Sequence, residues 1–128
     1  KYRYFYYLII NQDNFLFFFF FFFRDIWNSL YEFPLIEAER NLDIKELTLT
    51  ARWKEICNGS KPIINSISET YTHQLTHQKI MAQFLELEVS QPSNFLHNNC
   101  IAIRNESIHD LAIPRLIEKY IDEREYKK

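Results

Sequence analysis

Two cysteines are all the sequence has, Cys57 and Cys100, and they stand far apart. Without a close pair they build neither a zinc ribbon nor a four-cysteine iron–sulfur run, and the expectation is two reduced thiols acting as small hydrophobes. Excess positive charge is missing too, since the formal net charge is −2. Phosphate contacts need Lys and Arg, so the charge does not resemble that of an autonomous nucleic-acid binder; any contact with DNA is expected to draw most of its phosphate grip from another part of a larger protein. No apolar run is long enough to cross a bilayer. The run Phe15–Phe23 falls short of the about 20 residues a spanning helix needs. Extending it back to Tyr4 would put Asn11, Gln12, Asp13 and Asn14 in mid-membrane. No small-residue cleavage site follows it, which removes a secretory signal.

What the chain does have is material for a core. At 47% hydrophobic and 17% aromatic residues, with 25% charged, it reads as an ordinary folded domain rather than a disordered one. A length of 128 residues suits one domain, residues 1–128. The first residue is Lys1, not Met. The expectation drawn from this is a piece of a larger enzyme.

Tyr2–Ile10 is aromatic and β-branched and predicts a strand, with Asn11–Asn14 as its turn. Phe15 and Leu16 lead into seven consecutive phenylalanines, Phe17–Phe23. A second strand hairpinned to the first fits them, although an all-Phe strand has no polar face, is rarely buried on both sides at a sheet edge, and is an aggregation hazard. Residues 24–37 begin as a loop and continue as a short strand, with Trp27, Tyr31 and Phe33 as core candidates. Asn41–Cys57 predicts one helix: Asp43 caps it, Ile44, Leu47 and Ala51 repeat at helical spacing, and Asn58-Gly59 ends it. Arg52, Lys54 and Arg115 read as solvated or salt-bridged surface charges.

Lys61-Pro62 opens a linker. Ser66–Gln74 and Gln78–Val89 then predict two strands. In the second, positions 85, 87 and 89 are apolar and alternate with Glu86 and Glu88, while 80, 82 and 84 keep the opposite phase. That strand is either buried on both faces at its start or bulged near Phe84. Gln91–Asn94 predicts a turn, Cys100–Arg104 a short strand, and Asn105–Asp110 a polar link. Pro114 starts a last helix with an apolar stripe of Ile113, Leu116, Ile117, Tyr120 and Ile121, and residues 122–128 are expected to fray. Strands, a central helix, more strands and a closing helix make an α+β sandwich.

Between the two later strands lies Tyr71-Thr72-His73-Gln74-Leu75-Thr76-His77-Gln78-Lys79. Polar side chains this dense are costly to bury unpartnered, so a tight connection at a sheet end is expected to present them together. His73 is read as structural or as a support behind the turn, because no third ligand accompanies the two histidines and no metal site is expected.

Three segments resemble the C-terminal domain of MutY-type adenine DNA glycosylases. Asp25-Ile26-Trp27-Asn28-Ser29-Leu30-Tyr31-Glu32-Phe33-Pro34 resembles that family's Gly-Leu-Trp-x-x-Leu-Trp-Glu-Phe-Pro segment. Tyr71–Lys79 resembles its His-x-Phe-Ser-His turn, with Leu75, Thr76 and His77 at the Phe-Ser-His positions. Ile113-Pro114-Arg115-Leu116-Ile117 resembles the start of its terminal helix. The likeness runs from about Tyr4 to Ile121. It departs from the family in the Phe run, where basic residues are usual, and at Leu75, where Phe is usual.

The resemblance implies a Nudix-like α/β/α sandwich with a mixed sheet and two main helices. It implies a reader of 8-oxoguanine opposite a mispaired adenine, with Leu75 as wedge and Thr76 and His77 on the oxidised edge. The implied partners are duplex DNA carrying that mispair and the parent enzyme's N-terminal catalytic domain, with no membrane, in a monomer of bacterial cytoplasm associated with the nucleoid. No catalytic residue and no cofactor are expected in this chain; a 4Fe-4S cluster is implied for the catalytic domain it lacks. One rival is a Nudix-type nucleoside diphosphate hydrolase. It needs several glutamates on one helix turn for Mg²⁺, whereas Asp43–Cys57 offers Glu46 and Glu55 nine residues apart. The other is a small membrane-associated or structural protein led by the Phe run, which the polar interruptions oppose.

Overall fold

Strand β1 (Tyr2–Gln12) is the axis of the computed structural model, which describes residues 1–23 and 28–126. It pairs in parallel with β7 (Lys79–Glu88), from Tyr2 opposite Lys79 to Asn11 opposite Glu88. Its other edge takes β4 (Leu35–Ala38) and, at Asn11 and Gln12, β2 (Phe15–Phe23), both antiparallel. The β1–β2 connection is the expected Asp13-Asn14 turn. Both residues sit at positive φ (49° and 69°), a conformation their short polar side chains tolerate and a two-residue hairpin requires.

Side chains alternate along β1, and both faces are buried. Tyr6, Leu8 and Ile10 meet Leu47, Trp53, Ile56 and Leu96 from the helical layer α1 (Ile44–Thr48), α2 (Ala51–Cys57) and α3 (Asn94–Asn99). Tyr7 and Ile9 meet Ile117, Tyr120 and Ile121 of α4 (Arg115–Tyr126) and Ile108 of a 3-10 turn (Asn105–Asp110). Helices therefore cover both faces of a mixed eight-stranded sheet, the expected α/β/α sandwich.

The two apolar phases of β7 follow from this. Ile80, Ala82 and Phe84 face the α4 core, and Leu85 and Leu87 face the α1–α3 core. The pairing with β1 is continuous through Phe84, so the strand changes which layer it feeds without a bulge. The irregularity lies on its partner β5 (Ile63–Ile67), between Ile64 and Ser66.

The Phe run is not a plain edge strand. Residues Phe15–Phe18 pair with β8 (Ile101–Arg104), and Phe19–Phe23 pair with β3 (Asn28–Glu32). Phe17 is buried in the α1–α3 core and Phe18 in the α4 core, so this part of the strand needs no polar face. Phe18 stacks on Phe33 at 4.6 Å and meets Tyr31 edge-on at 6.4 Å, as core candidates should. Trp27 lies outside the described residues. Farther along, Phe20 and Phe21 emerge to 41% exposure.

Five boundaries differ from the sequence expectation, the first being that the short strand expected within residues 24–37 is two, β3 and β4. The single helix over Asn41–Cys57 is two. Asp43 does close a capping box, accepting from the Glu46 N–H at 2.8 Å while Glu46 accepts from its N–H at 3.1 Å. But the Thr50 hydroxyl donates back to Leu47 O at 2.8 Å and accepts from the Trp53 N–H at 3.2 Å, so it ends α1 and caps α2. The single strand over Ser66–Gln74 is likewise two, β5 and β6 (Tyr71–Gln74), both on β7. Between them the Ser68 hydroxyl accepts from the Phe84 N–H at 2.8 Å, standing in for a ladder carbonyl.

The turn at Gln91–Asn94 runs straight into α3, because Ser93 caps it through the Leu96 N–H while donating to Ile56 O at 2.5 Å. With α1, α2 and α3 distinct, the helical count exceeds two. Finally, α4 extends to Tyr126, through part of the tail expected to fray. The Tyr71 hydroxyl donates to Glu123 at 2.5 Å, and Arg124 pairs with Glu86 at 3.1 Å.

Candidate nucleic-acid interface

The polar cluster between β6 and β7 is a tight turn at the sheet end, as its composition predicts. β6 pairs antiparallel with β7, Tyr71 opposite Ala82 through Gln74 opposite Lys79, and the chain reverses over Leu75–Gln78. The Leu75 N–H donates to Gln78 O at 2.8 Å and closes the reversal. Gln74 braces it from beside: its side-chain amide donates to Leu75 O at 2.7 Å and to Gln78 O at 3.3 Å. Leu75, Thr76 and His77 all face solvent, Leu75 at 38% exposure. The turn is thus held by its backbone and by Gln74, while the three candidate side chains stay available. His73 lies on β6 opposite Ile80, also exposed.

Thr76 and His77 share an open cavity of about 350 Å³ with Lys1, Tyr2, Gln74, Gln78 and Lys79. The start of β1 is brought there by its parallel pairing with β7, and Lys79 N–H donates to Lys1 O at 2.8 Å. Two ammonium groups line the cavity and no carboxylate does, so this end of a net-negative chain is locally cationic. Sequence reasoning singled out the turn and the stretch holding Gln74 and Lys79, gave those two no role, and missed Lys1 and Tyr2. Gln74 carried a weak signal as an amide adjoining a turn. Lys1 and Tyr2 carried none, because they join the site through a contact across most of the chain.

Arg52 is salt-bridged, one of the two states expected of it, and also rests on two rings. It pairs with Glu55 at 2.6 Å, and its guanidinium lies over Phe95 at 5.1 Å and Phe19 at 5.9 Å. The two glutamates a hydrolase would draw on are also engaged. Glu55 holds Arg52. Glu46 holds Arg40 at 2.6 Å as well as the capping box, and the hydrogen bond from Arg40 keeps its carboxyl below the usual range. On α2 the inward residues are Trp53, Ile56 and Cys57, and Cys57 packs as a thiol whose pKa burial pushes up to about 12. Among the described residues no three His, Cys, Asp or Glu side chains gather into a metal-binding group. No helix among them is long and apolar enough to cross a membrane.

No protein-family model matches the sequence, and no curated protein matches it either. Solved structures do. The C-terminal domain of mouse MUTYH, determined in complex with human PCNA, superposes with a TM-score of 0.69 at 17% identity, over 95% of this chain and 89% of that one. A NUDIX hydrolase from Nitrosomonas europaea gives 0.68 at 11% identity, over 100% and 91%. The MutT protein from Methanosarcina mazei Go1 gives 0.66 at 18% identity, over 99% and 96%. At such identities the likeness is one of architecture, and it agrees with the layers and topology above: this chain has a Nudix-like α+β fold.

Proposed function

We propose that this chain is a lesion-reading domain of an adenine DNA glycosylase, recognising 8-oxoguanine opposite adenine in duplex DNA. The observation that carries the reading is the braced turn, which holds Leu75, Thr76 and His77 in solvent beside a cavity lined by two lysines and no acid. Oxidation turns guanine N7 from an acceptor into an N–H donor and adds a carbonyl at C8. The Thr76 hydroxyl accepts from that N–H, and His77 bonds the base edge or a neighbouring phosphate. An unoxidised guanine offers no such donor, and a lost pairing at a base edge costs about 1–3 kcal/mol. Leu75 wedges beside the base. Removal of the opposite adenine belongs to the parent's catalytic domain, which must take that base out of the stack. The MUTYH domain among the structural neighbours supports a DNA-repair setting.

The test is a fusion of this chain to an adenine-glycosylase catalytic domain. The fusion binds 8-oxoguanine·adenine duplexes more tightly than guanine·adenine ones; equal affinity sinks the reading. The hydrolase reading has the MutT-like neighbours in its favour. It predicts Mg²⁺-dependent release of phosphate or pyrophosphate from nucleotides, and a clean negative panel removes it.

A further inference from the structure

Tyr2 stands out at the sheet end. Farther along β1 the tyrosines Tyr6 and Tyr7 are buried, but Tyr2 is 55% exposed. Among the described residues its ring touches no other ring and its hydroxyl has no partner. A single exposed aromatic means little. Its surroundings give it meaning. Tyr2 lies opposite Lys79 across the β1–β7 pairing, and Gln74 lies opposite Lys79 across the β6–β7 pairing. Directly paired residues share a face, so Tyr2, Lys79 and Gln74 stand abreast on one side of the sheet, at the foot of the turn. All three line the cavity that Thr76 and His77 line.

That cavity therefore collects an aromatic face, two ammonium groups, a hydroxyl and an imidazole, with no carboxylate to repel an anion. These are the three things a nucleotide offers contacts to: a π face, a polar base edge and a phosphate. Its volume of about 350 Å³ falls within the range of small-ligand sites, about 300–1,000 Å³. Leu75 at the wedge position can pack but has no π face, so the turn by itself lacks a stacking surface.

We infer that Tyr2 supplies that surface: the lesion-strand nucleotide lies against the Tyr2 ring, with its base edge at Thr76 and His77 and its phosphate at Lys79. This rests on the lesion-reading function proposed above. Base–aromatic stacking is sequence-tolerant, because every base has a π face. Tyr2 therefore sets affinity, while Thr76 and His77 set the preference for the oxidised base.

The experiment is fluorescence anisotropy with the chain itself at low salt, where phosphate contacts are strongest. The probes are labelled 8-oxoguanine·adenine and guanine·adenine duplexes, with wild type, Tyr2→Ala, Tyr2→Phe and Lys79→Gln. Tyr2→Ala weakens binding to both duplexes by about 5- to 150-fold, the equivalent of one lost stack, with an unchanged melting temperature. Tyr2→Phe keeps wild-type affinity. Lys79→Gln weakens both duplexes alike and lowers the salt slope by about 1. Wild-type affinity in Tyr2→Ala, or a loss in Tyr2→Phe equal to that of alanine, overturns the assignment. If wild type binds both duplexes equally, the lesion reading fails, and Tyr2 is still judged by whether its alanine variant loses affinity. No binding by wild type at low salt overturns the Tyr2 assignment, and the lesion reading is then judged by the fusion.

Discussion

Replacing Tyr71 by Phe removes one hydroxyl and nothing else from the contact between β6 and α4. The ring keeps its edge-on contacts with Phe84 at 5.5 Å and Tyr120 at 5.8 Å, and Lys119 stays over it at 5.8 Å. What goes is the 2.5 Å hydrogen bond to the Glu123 carboxylate. Burial first, and then that carboxylate, push the Tyr71 hydroxyl well above its ordinary pKa, so it remains a donor at any working pH. Hydrogen bonds to charged groups contribute about 1.5–3 kcal/mol. Glu123 is only half-buried, so water re-solvates its carboxylate in the variant, and the loss sits at the low end, about 1.5 kcal/mol. For a domain of this size that lowers Tm by about 4–6 °C. The assay is urea and thermal unfolding of Tyr71→Phe, Glu123→Ala and the double variant. The cycle should return a coupling of about 1 kcal/mol with an unchanged m-value. A coupling below about 0.3 kcal/mol, the additivity error of such cycles, would refute the claim that this bond holds the end of α4 to the sheet.

Glu32 offers a pH test. Burial, and secondarily Glu37, raise its pKa above the ordinary carboxylate value of 4.5. The folded state then keeps a proton that the unfolded state has lost, so stability falls as pH rises from 4.5 through the raised value. Glu32→Gln should therefore raise Tm at pH 7, with the gain disappearing below pH 4.5; a constant gain across that range would contradict the burial argument. Exposed Phe20 and Phe21 make the end of β2 adhesive. Phe20→Thr with Phe21→Thr keeps β propensity and should raise the concentration at which light scattering first detects aggregates, with little change in Tm. Thr76→Ala and His77→Ala should leave stability within about 0.5 kcal/mol, as exposed positions do; a larger loss by urea unfolding would make the turn structural.

Periodicity carried the legible part of the fold. β1 and the Asp13-Asn14 turn, the α4 stripe of Ile117, Tyr120 and Ile121, and the Asp43 cap all follow from local spacing and residue type. The breaks at Thr50 and Ser68 were hidden, because single hydroxyls spend their bonding on a carbonyl or an N–H and interrupt patterns that otherwise run on. The short α3 was hidden because one turn of helix shows no period; Leu96 is its one buried residue, with Phe95 packed against the same core. The two-phase reading of β7 left a bulge open, and only the layers on both faces decide for burial. At the site, the turn was legible as a polar cluster between strands. Tyr2 and Lys1 were not, since a parallel pairing between the first strand and the seventh leaves no local mark.

The central claim is that Thr76 reads the N–H that oxidation creates at guanine N7. It is tested most directly by the affinity ratio between 8-oxoguanine·adenine and guanine·adenine duplexes in the glycosylase fusion, for wild type and for Thr76→Ala. The account predicts a wild-type ratio of about 5 to 150, the equivalent of about 1–3 kcal/mol, falling toward 1 in Thr76→Ala while binding to guanine·adenine is unchanged. A ratio that survives the loss of the hydroxyl would contradict it.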